Sequence, residues 1–265
     1  MKSIHKHFSK IAHKYEDLRT GDLEPILFIK KKVQNLTKIE AGDIGCGMGR
    51  YDIKLFKYLG ERLHLTCIDM NDNMLNELTK NFNRENIDKN FKIVKSLAEN
   101  LLLQTNSLDC IFTFNTIHHF KLINFLKETS RILRNNGYLF IYTRLKSQNK
   151  RNIWGRFFPK FYEKEKRLYE LNEVKEILKK TPILRLESIE YFKYKRKAKL
   201  ERLLALAVNH HYSTFCLYNK KDFEKALKEF QKNIVRNFKN TDKIIWNDEN
   251  IMFFITKNKD HEQKI

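Results

Sequence analysis

Between residues 38 and 143, short apolar runs alternate with segments of helical periodicity, and no other feature restricts the fold so strongly. Residues 38–44, 63–69, 91–95, 108–115 and 137–143 read as strands, with helices at 51–59, 73–82 and 122–133. Five strands joined by helical crossovers predict a parallel, doubly wound α/β sheet. The runs 108–115 and 137–143 are apolar almost throughout, as strands covered on both faces must be. Ahead of this block, 7–18 and 24–35 have helical spacing, the first with Phe8, Ile11, Ala12 and Tyr15 on one stripe.

Beyond Thr143 the rhythm breaks. Residues 172–180 read as a helix closed before Pro182, 184–194 as a sixth strand, 197–208 and 222–238 as two helices, and 251–256 as a last strand. The expected organisation is an N-terminal helical lid (1–37), a core (38–143) and a remainder (144–265). That remainder completes a mostly parallel seven-stranded sheet and inserts a helical cap, at about 197–238, over the sheet's carboxyl edge.

Asp43-Ile44-Gly45-Cys46-Gly47-Met48-Gly49 lies where the first strand gives way to a helix. Glycines at alternate positions let a backbone turn tightly and approach a ligand without Cβ interference. The dinucleotide fingerprint G-x-G-x-x-G would need glycine at position 50, which is Arg50. Asp69 ends the second strand, 20 residues after Gly49. A carboxylate there can accept both hydroxyls of a ribose; capping the following helix is its alternative role.

The pattern G-x-G-x-G preceded by Asp43 resembles motif I of the class I S-adenosylmethionine-dependent methyltransferases. Further segments resemble that family in the same order: 96–101 its adenine-contacting stretch, 107–112 the entry to its fourth strand, and 115–120 the loop after it. Residues 131–138 are similar to its R-x-L-x-P-G-G turn, with Asn135 and Asn136 in place of Pro-Gly, and Phe8 to Tyr15 to the helix that closes over the cofactor. The resemblance is nearest to the small-molecule group that includes quinone-biosynthesis C-methyltransferases, and it covers residues 5–143. It implies a Rossmann-like fold and S-adenosyl-L-methionine as cofactor. The cofactor-binding residues it implies are Tyr15, Asp43, Gly45, Cys46, Gly47, Gly49, Asp69, Met70, Leu97, Ala98 and Asn115. It also implies methyl transfer to a small-molecule acceptor.

Displacement at a sulfonium methyl needs nucleophile and methyl group held at near-attack distance. A base is required only where the acceptor loses a proton. His118 and His119 follow the fourth strand, at the edge where open α/β sheets bind ligands, and are the candidate catalytic bases. Packing within the loop is the alternative for either ring, as a plain turn is for Asn115. His210, His211 and Tyr212, between the cap helices, read as a polar turn or as acceptor contacts.

The net charge is +20, and residues 144–202 contribute 19 basic against 8 acidic side chains. A lysine-coated surface and an anion-facing patch both account for this. The alternative function is therefore an RNA methyltransferase working through the basic C-terminal surface. In that reading the aromatics of 151–167 stack bases; otherwise they are buried in the cap. No separate RNA-binding module and no Asn-Pro-Pro-Tyr-type motif supports it. The four cysteines are far apart, without C-x-x-C or histidines at ligand spacing. Free thiols, no metal site and a cytoplasmic setting are expected. No apolar run reaches the ~18 residues of a membrane span.

Overall fold

The computed structural model describes residues 21–258. The helix expected at 7–18, with Tyr15, lies outside the described residues. Seven strands form one sheet in the order β3-β2-β1-β4-β5-β7-β6: β1 (Ile39–Ile44), β2 (Leu63–Asp69), β3 (Phe91–Lys95), β4 (Leu108–Phe114), β5 (Leu133–Thr143), β6 (Leu184–Ala198) and β7 (Ile244–Lys257). The ladder from β3 through β5 is parallel, and β7 runs antiparallel to β5, with Phe140 opposite Phe254. The chain starts at the sheet centre with β1, winds outward to β3, then crosses back to β4.

The crossover helices are α2 (Arg50–Leu59), α3 (Asp72–Arg84) and α4 (Leu122–Ile132), and α1 (Glu24–Lys32) precedes β1. Each buries one stripe: Met74, Leu75, Leu78 and Phe82 on α3, and Leu122, Phe125, Leu126 and Ile132 on α4. In β4, every residue but Asp109 is buried, as its near-continuous apolar run requires. Among the described residues no helix is long and apolar enough to cross a membrane.

The start of β5 departs from the sequence reading. Leu133 already pairs with Leu108, residues 134–137 are passed over, and pairing resumes between Tyr138 and Cys110. Asn136 turns through φ 63°, a left-handed conformation that asparagine tolerates. It thus does the work of a glycine in that turn. β6 and β7 also run further than expected, because ladder bonds come from the backbone while polar residues such as Asn247, Asp248 and Glu249 hide the strand pattern.

Two compact units divide the described chain. The sheet unit comprises 21–143, 171–190 and 251–258, and includes α8 (Leu171–Lys179); the helical unit comprises 144–170 and 191–250. Three short helices of the latter, α5 (Lys146–Arg151), α6 (Ile153–Phe157) and α7 (Phe161–Lys164), escaped the periodicity argument because none completes two turns. Of these, α5 lies against α6 and α7, which pack with α9 (Leu200–Val208) and α10 (Lys220–Asn237) in a single core. Trp154 is its centre, stacked on Phe230 at 5.0 Å and 22° and edge-on to Phe215 at 5.4 Å. Asn152 caps α6 by accepting the Gly155 N–H at 2.7 Å.

The aromatics of the basic segment are thus mostly core: Trp154, Phe158 and Phe161 are buried. Tyr162 and the half-buried Phe157 meet cations, with Lys150 Nζ 5.5 Å and Arg156 Cζ 5.3 Å from the respective ring centres. Trp154→Ala is expected to destabilise this unit by about 3–5 kcal/mol in thermal unfolding, the usual cost of emptying a large aromatic site. An unchanged melting curve would show that the ring is not a core residue.

Candidate functional site

In the order β3-β2-β1-β4, the chain leaves the neighbouring strands β1 and β4 in opposite directions. Loops after their carboxyl ends therefore diverge and open a crevice. The Gly45–Gly49 loop follows β1, Met70 follows β2, Ser96–Ala98 follows β3 and Asn115–Phe120 follows β4.

The three loop glycines all have positive φ, at 78°, 57° and 80° for Gly45, Gly47 and Gly49. They are glycine for different reasons. A Cβ on Gly45 would stand 2.6 Å from Thr116 Oγ1, so it lets the loops after β1 and β4 close on each other. A Cβ on Gly49 would stand 2.9 Å from Phe82 and 3.0 Å from Leu78, so it lets α2 start against α3. A Cβ on Gly47 would meet nothing within 4 Å among the described residues. Only Gly47 faces open space, whereas the sequence reading gave all three the role of admitting a ligand.

Asp69 holds that loop. Its Oδ2 accepts the Gly47 N–H at 3.0 Å and its Oδ1 the Asn71 N–H at 2.9 Å. The helix cap belongs instead to Asn71, whose Oδ1 accepts the Asn73 and Met74 N–H groups. Two backbone donors fix the carboxylate at the carboxyl end of β2, and a carboxylate oxygen can accept more than one hydrogen bond. Beside it Met70 is 39% exposed, and Leu97 at the end of the neighbouring β3 is 50% exposed. Two apolar side chains left open at a polar crevice suit the faces of a flat base. Ala98 is buried and lets the turn after β3 lie close. Asp69→Ala is expected to weaken cofactor binding in calorimetry by about 1.5–3 kcal/mol, the scale of lost bonds to a charged acceptor. Unaltered affinity would remove Asp69 from the site.

The loop after β4 turns at Asn115, in left-handed conformation at φ 56°, with its N–H on Tyr142 O at 2.7 Å. Its backbone role is plain, and the turn projects a single 3-10 helical segment, Ile117–His119. Ile117 is the anchor, fully buried, while both histidines remain partly exposed. Their ring centres lie 4.0 Å apart. His118 Nδ1 is shut off from solvent. Being adjacent and in ring contact, the two are structurally linked.

Asp43 and Asp52 were not seen as a pair in the sequence. Asp43 precedes the glycine loop on β1, Asp52 follows it in the first turn of α2, and both are buried. The missed signal was positional: Asp52, Leu55 and Leu59 share one helical stripe, so a charge stood on the core-facing side. Cys46 is half-buried, and burial pushes its thiol well above the usual range, so it fits the loop as a small inert residue. His210, His211 and Tyr212 form a turn within the helical unit, His211 Nδ1 lying 3.1 Å from Leu206 O and Tyr212 Oη accepting from Arg144 at 3.1 Å. No group of three or more potential metal ligands occurs among the described residues.

Comparison with known proteins finds matches of sequence and of fold. Residues 42–141 match the methyltransferase domain family. A ubiquinone/menaquinone biosynthesis C-methyltransferase from Rhizobium meliloti is 28% identical over 100 residues, 37% of this chain and 39% of that protein. The matched stretch is thus well under half of the curated relative. A methyltransferase from an antibiotic biosynthesis pathway of Anabaena variabilis aligns with a TM-score of 0.68 at 20% identity, covering 89% of this chain and 98% of that one. Geranyl diphosphate C-methyltransferase from Streptomyces coelicolor, solved with Mg2+, geranyl-S-thiolodiphosphate and S-adenosyl-L-homocysteine, aligns with a TM-score of 0.55 at 11% identity, covering 88% and 74%.

Proposed function

We propose, from the match of residues 42–141 to the methyltransferase domain family, that the chain is a class I S-adenosylmethionine-dependent methyltransferase that transfers the cofactor's methyl group to a small-molecule acceptor. The observation that carries this reading is Gly47, a left-handed residue whose missing side chain opens onto free space and whose N–H is tied to Asp69. A plain tight turn needs no such opening and no carboxylate below it.

The residues present fit S-adenosyl-L-methionine. Asp69 offers oxygen acceptors to ribose hydroxyls, Met70 and Leu97 offer apolar faces to adenine, and the Gly45–Gly49 backbone leaves room for the amino-acid end. When bound, the cofactor supplies an electrophilic methyl group on a sulfonium. The chain's own part is to hold the acceptor in line, keep water out and, where the acceptor is an acid, take its proton. His118 and His119 are the proposed bases, on a loop that Thr116 fixes against Gly45. The helical unit lies outside the family match, and we assign it the choice of acceptor.

The relatives include a C-methyltransferase of ubiquinone/menaquinone biosynthesis, a methyltransferase from an antibiotic biosynthesis pathway and a geranyl diphosphate C-methyltransferase, which supports a small-molecule acceptor. Burial of Trp154, Phe158 and Phe161 withdraws the stacking platform that an RNA substrate would use. The test is methyl transfer from labelled S-adenosylmethionine to small hydroxyl, thiol and activated-carbon acceptors and to RNA, with RNA affinity followed against salt. A small molecule should be labelled, with RNA affinity weak at physiological salt and insensitive to sequence. Nanomolar binding of one RNA at that salt, with methyl incorporation, would overturn the reading.

A further inference from the structure

Asp43 and Asp52 bracket the glycine loop, two residues before Gly45 and three after Gly49. They are 2% and 0% exposed. Asp43 Oδ1 and both Asp52 oxygens are buried without an N–H or O–H donor among the described residues. The two carboxyls lie against each other, and the Cys67 thiol lies beside Asp52. Two buried carboxylates facing each other cannot both be ionised at little cost, whereas one proton between them makes one a donor and the other its acceptor.

The titratable groups beside the pair are Asp69 and Cys67 from β2 and Cys46 from the loop. None is a cation. Burial is the main cause holding Asp43 well above the ordinary carboxylate range, with the Asp52 and Asp69 charges adding to it; burial likewise lifts Asp52 to about 6.

We propose that Asp43 and Asp52 hold one proton between them in the ligand-free protein and release it when S-adenosylmethionine binds, so that Asp52 couples cofactor affinity to pH. This rests on the methyltransferase reading above. The pair's O–H bond breaks, the proton passes to solvent, and the pair goes from one negative charge to two. The arriving ligand has a net charge of about +1, from sulfonium and ammonium against one carboxylate. The two buried carboxylates flanking the loop among the described residues thus become its counter-charge. Asp52 is a positioning residue, acting through Asp43 and the loop.

The sign follows from linkage. If the free pair binds a proton that the complex does not, affinity rises with pH, by up to about tenfold per unit between the bound-state and free-state pKa values. S-adenosylhomocysteine lacks the sulfonium charge and should show a shallower rise and a smaller release.

The test is calorimetry of S-adenosylmethionine and S-adenosylhomocysteine binding from pH 5.5 to 8, in buffers of different ionisation enthalpy, for the intact chain and Asp52→Asn. Infrared spectra of the ligand-free proteins accompany it. The intact protein should show a protonated-carboxyl band, release a substantial fraction of a proton to S-adenosylmethionine and release less to S-adenosylhomocysteine. Asp52→Asn, whose amide keeps the shape and can donate to Asp43, should change the pH profile of that release. No protonated-carboxyl band, binding without proton release at every pH, or an identical release profile in Asp52→Asn would each overturn the proposal. Failure of either ligand to bind at any pH would sink the methyltransferase reading itself; binding without proton release sinks the proton linkage alone.

Discussion

Gly47→Val is expected to eliminate detectable S-adenosylmethionine binding while the protein keeps its α/β circular dichroism spectrum. The valine side chain would enter space that no described residue occupies, so the steric conflict falls on the ligand. Gly47 also has φ 57°, which costs an L residue roughly 1–2 kcal/mol. That loss is small against a typical domain stability of about 5–15 kcal/mol. Gly45→Ala and Gly49→Ala should do the reverse. Their Cβ atoms would press on Thr116 or on Leu78 and Phe82, so the melting temperature should drop first, and cofactor binding only as a consequence. Calorimetry with thermal unfolding on the three variants separates the roles. Wild-type affinity in Gly47→Val would show that the cofactor does not pass over this loop.

The second large effect is expected at His118 and His119. If one imidazole takes the acceptor's proton, its alanine variant should lower kcat by about 10²–10⁴ on the true acceptor, with the cofactor dissociation constant little changed. The contact between the two rings at 4.0 Å adds a condition. Removing either ring unseats the other, so both single variants should be impaired and their effects should not add in the double variant. Wild-type turnover in both single variants would make the histidines structural, and catalysis would rest on proximity alone. Assays need the real acceptor, because the base is dispensable for a nucleophile with no proton to lose.

Much of this protein is determined by local pattern. The bounds of β2 and β3 (63–69 and 91–95) are those read from the sequence, and α2, α3 and α4 differ from it by one or two residues at an end. Alternating apolar runs and helical stripes are properties of short segments, and each segment carries its own period. The glycine loop and Asp69 were legible for the same reason: a strand, a turn and a helix start lie within a few residues.

Tertiary structure decided what depends on residues far apart. Only packing shows that Gly45 answers to Thr116 and Gly49 to Phe82, leaving Gly47 alone to face open space. Only packing turns Asp43 and Asp52, nine positions apart in the chain, into two buried carboxyls in contact. The basic aromatic segment was ambiguous in sequence because Trp154 and Phe158 serve equally well as stacking surface or as core. Their burial against Phe215 and Phe230 on distant helices settled it. Charge, by contrast, is fixed by composition: the chain is +20 however it folds. Periodicity reports which face of a segment is buried, but what it is buried against is a contact between segments, and that exists only once the chain has closed on itself.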